Sequence, residues 1–250
     1  TDLVAADLDS GHYHYHKVPT TTGDPARGIL EGIAEVLDQN QLPRQDVAFL
    51  VLGTTLATNA VLEGKWAATG VITTAGFRDV LELARQRRPH YFNLDIPKPM
   101  PPAPRDCRLE VNERVAPDGA VVTPLMEDDV RRAVEVLKTK KVEAVAICFI
   151  NSHVNAANEQ AALRVLSRLL PGVAVTASTE LVPQIGEYER TSTTVVNAYL
   201  RPVVEHYVTS LNGRLKNLGI GAPLMIMQSS GGVFTSGAAA RKPVFMVESG

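Results

Sequence analysis

The residues best suited to chemistry sit in short loops that follow apolar runs. The strongest case is Gly53-Thr54-Thr55, which follows a buried-strand pattern at 46–52 and leads into Leu56-Ala57-Thr58-Asn59-Ala60. Glycine lets the backbone approach a ligand closely, amides at a helix start favour an anion, and three hydroxyls add donors. The same residues also suit a threonine N-cap on a tight turn, and spacing does not separate the two. A second loop, Gln228-Ser229-Ser230-Gly231-Gly232, follows the apolar run 224–227. It carries hydroxyls and glycines at a strand's carboxyl end, where α/β sheets place ligands, although a hairpin turn has the same composition.

Two further stretches are rich in polar groups. Arg85-Gln86-Arg87-Arg88-Pro89-His90 offers guanidinium forks for carboxylates or phosphates, or else cations on a solvated helix end. Residues 180–194 are densely polar just before a long apolar helical pattern, and Glu187 and Arg190 are spaced for an i,i+3 ion pair or for holding a substrate. His12, His14 and His16 share one strand face at metal-compatible spacing, but no carboxylate or cysteine cluster completes a site, so exposed hairpin histidines are expected. HExxH, Walker A, GxSxG and CxxC motifs are all absent.

The elements that must position these loops follow from periodicity. Residues 3–7 and 12–18 read as a hairpin around Asp9-Ser10-Gly11. Asp24-Pro25 opens a helix with Ile29, Ile33, Val36 and Leu37 in register. A helix is expected at 53–62, a strand at 67–73 and a short helix at 77–85. The five prolines at 97, 99, 101, 102 and 104 exclude regular structure and mark a connector. Residues 108–115 and 120–124 read as a hairpin around Pro117-Asp118-Gly119. Helices at 127–138 and 156–170 then alternate with strands at 144–150 and 173–177. The longest helical pattern runs over 186–218, with a kink expected at Pro202 and an end at Gly219. A hairpin followed by alternating helices and strands specifies a mixed α/β sheet covered by helices.

Composition narrows the function classes. The 250 residues are 45% hydrophobic and 21% charged, with a net charge of −2, so neither nucleic acid nor an anionic membrane is an expected partner. Two unpatterned cysteines, Cys107 and Cys148, fit a reducing, cytoplasmic setting better than a disulfide scaffold. The longest apolar run, at 144–150, is too short to span a bilayer.

The segments GTTLATNAVLEGK (53–65), TTAGFRDVLELARQRRP (73–89), STELVPQIGEYERTSTTVVNAYLRP (178–202), MQSSGG (227–232) and VESG (247–250) occur in this order. Together they resemble the hydantoinase A / 5-oxoprolinase family, which also includes the β subunits of acetone and acetophenone carboxylases. The resemblance implies an actin/hexokinase/Hsp70-like (ribonuclease H-like) α/β fold with a mixed sheet and flanking helices. It implies an N-terminal hydantoinase/oxoprolinase domain at 1–180 and the start of the ATPase domain at 181–250. Family members begin with a phosphate loop ending Gly-Gly-Thr-Phe-Thr-Asp, of which Thr1 and Asp2 would be the last two residues. They continue Glu-Ser-Gly into Pro-Ala-Ala-Gly and an adenosine site, so a piece cut at both ends is expected.

The resemblance also implies the chemistry. An unstrained lactam or cyclic imide is a poor electrophile; ATP can phosphorylate its amide oxygen, and water then opens the activated ring, with Mg²⁺ neutralising the phosphates. By resemblance, Thr1, Asp2, Ser229, Ser230, Gly231 and Gly232 would meet phosphates, with Asp2 near Mg²⁺. Gly53, Thr54, Thr55, Thr58, Asn59, Arg85 and Arg88 would meet substrate, and no catalytic base is assigned. The implied partners are a small cyclic amide and a hydantoinase B-like subunit. The alternatives are a β subunit of an ATP-dependent ketone carboxylase and a non-catalytic assembly fragment.

Overall fold

The computed structural model describes residues 1–21, 23–64, 67–86, 95–96 and 100–247. The chain runs β1 (Asp2–Ala6), β2 (Tyr13–Lys17), α1 (Pro25–Gln39), β3 (Leu50–Leu52), α2 (Leu56–Leu62), β4 (Thr69–Thr74) and α3 (Val80–Leu83). It continues β5 (Arg108–Val111), β6 (Arg114–Val115), β7 (Val121–Thr123), α4 (Glu127–Thr139), β8 (Ala144–Cys148), α5 (Ala157–Leu169) and β9 (Ala174–Ala177). It ends α6 (Ser178–Leu181), α7 (Glu187–Asn217), β10 (Leu224–Met227), β11 (Val233–Thr235) and α8 (Ser236–Arg241). These elements fall into two compact units, one from Thr1–Thr58, Val204–Arg241 and the segment from Phe245 on, the other from Asn59–Val203 and Lys242–Val244.

In the first unit, β1 and β2 form an antiparallel hairpin. Its turn is tied by the Asp7 carboxylate, which accepts from the amides of Asp9 and Ser10 and from the Ser10 hydroxyl. Asp24 and a proline at its start open α1, whose Leu30, Ile33, Val36 and Leu37 are buried. A Cβ on Gly32 would lie 2.6 Å from Leu3 Cδ1, so this glycine is what lets α1 approach the hairpin. A separate three-stranded sheet has the order β11-β10-β3, with β10 parallel to β3 and antiparallel to β11.

The second unit centres on the parallel sheet β5-β4-β8-β9. All residues of β4 and β8 are buried, as a strand covered on both faces requires. Val134 and Leu137 of α4 and Val165 and Leu166 of α5 pack with Ile72, Val145, Ile147 and Phe149. The helix α4 carries Glu127, Asp128 and Asp129 in its first turn and Lys138 in its last, matching its dipole. No helix among the described residues is long and apolar enough to cross a membrane.

The α/β class and the mixed sheet with flanking helices hold, but two local expectations change. The strand expected at 46–52 shrinks to Leu50–Leu52, after a 3-10 turn at Arg44–Asp46. The hairpin expected across 108–124 divides. Arg108–Val111 joins β4 as a parallel strand, and only Arg114–Val115 pairs with Val121–Thr123. The division falls at Asn112, whose backbone amide and side chain both donate to Asp129 Oδ2. Pro202 lies inside the assigned helix α7, where it removes one backbone donor, and Gly219 follows the helix with φ +81°. The connector prolines Pro97 and Pro99 lie outside the described residues.

Gly70 tests the sheet–helix packing, because a Cβ there would stand 2.4 Å from Leu137 Cδ2 in the closed core. Gly70→Ala is expected to lower stability by about 1–3 kcal/mol, read as a fall in the urea midpoint. An unchanged midpoint would show that α4 can yield.

Candidate functional site

The two loops singled out by sequence leave the same end of one sheet. Parallel pairing of Leu50 with Leu224, Val51 with Met225 and Leu52 with Ile226 sends 53–58 and 228–232 off the carboxyl ends of neighbouring strands. That edge is where open α/β sheets bind ligands. At Gly53-Thr54-Thr55, Thr54 Oγ1 accepts from the Leu56 amide at 3.2 Å, a local threonine turn just before α2. Gln228–Gly232 is a hairpin turn, closed by the Gln228 amide donating to the Gly232 carbonyl and by Gly231 donating back to Gln228. It is also a shaped one. Gly231 and Gly232 have φ of +91° and +78°, and no atom lies within 4 Å of a Cβ built on either. The two glycines leave a face free of side chains, on which a ligand could approach the backbone closely, while the amides of Ser229 and Gly231 are already committed within the turn. Ser229 is anchored by its amide and hydroxyl to the Phe245 carbonyl. Among the described residues the Ser230 hydroxyl makes no hydrogen bond.

The other sequence candidates separate. Asp2 begins β1 and pairs with Lys17 at 3.1 Å on an exposed face, and Thr1 lies beside Thr20. The hairpin β1-β2 is its own sheet, so backbone pairing does not join Asp2 to the two loops. Asn59 belongs to the second unit, whereas Gly53–Thr58 belongs to the first. Arg85, in the second unit, donates from Nε to Glu189 at 2.6 Å, and this bond holds the Glu189 carboxyl below its usual range. Arg88 lies outside the described residues. The Glu187–Arg190 pair gives way to a different arrangement, because Arg190 turns into the core. Among the three hairpin histidines, His16 bonds Glu35 at 2.7 Å, and no group of three metal-ligating side chains occurs among the described residues.

Sequence reading missed a second polar site, at the carboxyl edge of the parallel sheet in the second unit. Glu159 is fully buried and takes four donors: the amides of Phe149 (3.1 Å) and Thr179 (2.8 Å), and the hydroxyls of Ser152 (3.2 Å) and Ser178 (2.8 Å). Beside it, Glu113 accepts from the Thr74 hydroxyl and from Asn158 Nδ2, while burial pushes its carboxyl above the usual range. The Asp129 carboxyl is lowered, chiefly by the Asn112 amide. Arg190, 1% exposed, donates to the Phe149 carbonyl at 2.6 Å, the Gln184 carbonyl at 3.1 Å and His153 Nδ1 at 2.9 Å. Cys148 beneath them is buried and its thiol is pushed up, so it is an inert core residue. The available signal was position: His153 and Ser178 both follow strands of an alternating α/β pattern.

A model of the hydantoinase/oxoprolinase N-terminal region matches residues 1–170, and one of hydantoinase/oxoprolinase matches residues 190–250. The chain belongs to the hydantoinase/oxoprolinase family. It is similar to an uncharacterized protein of Methanocaldococcus jannaschii, with 39% identity over all of this chain and 37% of that protein. It is 34% identical to caprolactamase subunit alpha of Pseudomonas jessenii, over all of this chain and 37% of the relative. The crystal structure of the ATP-dependent caprolactamase from Pseudomonas jessenii superposes with a TM-score of 0.85 at 33% identity, covering 94% of this chain and 35% of that one. The chain therefore spans little more than a third of the length of these relatives. Its likeness to them supports the actin-like ATPase class of the fold.

Two measurements test the second polar site. Glu159→Leu leaves the Phe149 and Thr179 amides and the Ser178 hydroxyl without their acceptor, while Ser152 keeps the Phe149 carbonyl, and should cost more than about 3 kcal/mol in the urea midpoint; a smaller loss means the edge can rearrange. Glu113 has its folded-state pKa raised above the ordinary value of 4.5, so the folded state holds the proton more tightly. Its contribution to stability therefore falls as pH rises through the interval between the unfolded and folded values. Against Glu113→Gln, the native chain should lose relative stability over that interval, and a pH-independent difference would contradict the assignment.

Proposed function

We propose that this chain is part of an ATP-dependent hydrolase that opens cyclic amides through phosphorylation of the amide oxygen. The likeness of the entire chain to caprolactamase subunit alpha carries this reading. The shared carboxyl edge of β3 and β10 supports it from the geometry. Residues 1–180 would form the N-terminal hydantoinase/oxoprolinase domain and 181–250 the start of the ATPase domain.

ATP, when bound, would supply the phosphoryl group that turns the amide oxygen into a leaving group, with Mg²⁺ offsetting phosphate charge. The residues fit such a group at the glycine turn. Gly231 and Gly232 offer a face free of side chains, and Ser230 a hydroxyl with no protein partner among the described residues. Thr1 and Asp2 would lie toward the phosphates and Mg²⁺; breaking the exposed Asp2–Lys17 pair to do so costs at most about 1 kcal/mol. Gly53, Thr54, Thr55, Thr58, Asn59, Arg85 and Arg88 would contact the cyclic amide. A hydantoinase B-like subunit would complete a hetero-oligomer in the cytoplasm.

The test is ATP hydrolysis by the family-length protein with its partner subunit, challenged with caprolactam, 5-oxoproline and hydantoins. Turnover dependent on one of these rings is expected. Turnover dependent on bicarbonate and a ketone would replace the reading with a carboxylase, and no ATP hydrolysis with any of them would leave an assembly role. Gly232→Val places a side chain at positive φ and should weaken ATP binding about ten-fold, read by calorimetry.

A further inference from the structure

A buried guanidinium ordinarily faces a carboxylate, because an uncompensated buried charge is costly. Arg190 does not. It is 1% exposed, and its three hydrogen bonds go to two carbonyls and an imidazole, all uncharged acceptors. Its Nε is enclosed without a partner. Among the described residues Arg190 forms no ion pair, although Arg85, Arg105 and Arg108 in the same unit all do. Glu159 is close in the network but committed elsewhere. It accepts the Phe149 amide and three other donors, whereas Arg190 holds the Phe149 carbonyl.

The bond to His153 passes this charge outward. A guanidinium can only donate, so His153 Nδ1 must present its lone pair, and the neutral ring then carries its proton on Nε2. Nε2 has no hydrogen bond among the described residues, and the ring is partly exposed. The loop that carries it is tightly held. Asn151 sits at φ +57° and donates to the Val115 carbonyl, Ser152 bonds Phe149 and Glu159, and Asn155 donates to the Gly119 carbonyl. His153 thus stands just past β8, at the ligand-binding edge of a parallel sheet, with its orientation and tautomer both set.

We propose that His153 and Arg190 form an oxyanion-recognition pair in the second unit, in which His153 Nε2–H donates to a phosphate or carboxylate oxygen of a ligand. Arg190 supplies positive charge from behind and fixes the tautomer. In this role His153 is a donor; it is neither a general base nor a metal ligand, since both need a free Nε2 lone pair. The site stands on the second unit alone and does not depend on the glycine turn or on the ring-opening reading.

The experiment uses the ¹⁵N-labelled 250-residue chain near neutral pH. Long-range ¹H–¹⁵N correlation of the imidazoles is expected to show His153 protonated on Nε2. Titration with inorganic phosphate, and separately with acetate, should shift that resonance saturably in at least one arm. The responding arm distinguishes a phosphoryl from a carboxylate ligand. His153→Phe should weaken the same binding about ten-fold by calorimetry, and His153→Gln, which keeps an N–H donor, should retain more of it. A proton on Nδ1, the absence of a saturable response to either anion, or unchanged affinity in His153→Phe would each overturn the proposal.

Discussion

A buried carboxylate organises the polar edge of the second unit. Glu159 has no exposure, and the ends of two strands and the turn after one of them are drawn onto its carboxylate oxygens. Its donors come from the segments that follow β8 and β9, at the carboxyl end of that parallel pair. The requirement that every buried polar group find a partner thereby fixes where those strands stop and how their loops leave. Glu113, Asn158 and Thr74 repeat the device on the neighbouring strands, and the Thr74 hydroxyl also takes the Ile150 amide.

The helices follow from this edge. Asn158 and Glu159 sit in the first turn of α5, so satisfying them sets the start of the helix that packs on β8 and β9. Asp129 in the first turn of α4 does the same for Asn112, and so decides where β5 ends. Beneath these polar starts the two helices close over an apolar core that admits no Cβ at Gly70. The first unit uses a lighter scheme. Its three-stranded sheet ends in loops tied mainly by backbone bonds and hydroxyls, and the glycine turn keeps a face free of side chains.

Both sheets deliver polar loops at their carboxyl ends. The difference lies in what the loops do with their hydrogen-bonding capacity. In the first unit the Ser230 hydroxyl remains uncommitted among the described residues. In the second, among the described residues, Glu159 and Glu113 take up much of the capacity internally, and one imidazole nitrogen backed by a buried cation stays open. An anion bound at the first would meet backbone amides; one bound at the second would meet a single charge-assisted donor.

Much of this was legible in the residues. The helices α1, α4, α5 and α7 follow from apolar periodicity, with Pro25 opening α1 and Gly219 following α7, because such signals act within a few residues. The apolar run at 144–150 marked a strand, which the structure ends at Cys148 and buries throughout, and the order of motifs identified the family. The hairpin across 108–124 was misread because a strand's pattern does not name its partner: Arg108–Val111 found β4, over thirty residues earlier in the chain, instead of its neighbour. The second polar site was invisible for the same reason. Thr74 meets Glu113 across 39 positions, and Arg190 meets the Phe149 carbonyl across 41. Composition and local spacing determined the elements, the loops and the kinship. Only the tertiary structure decided which polar groups are buried together, because burial and partnership are properties of segments brought together in space.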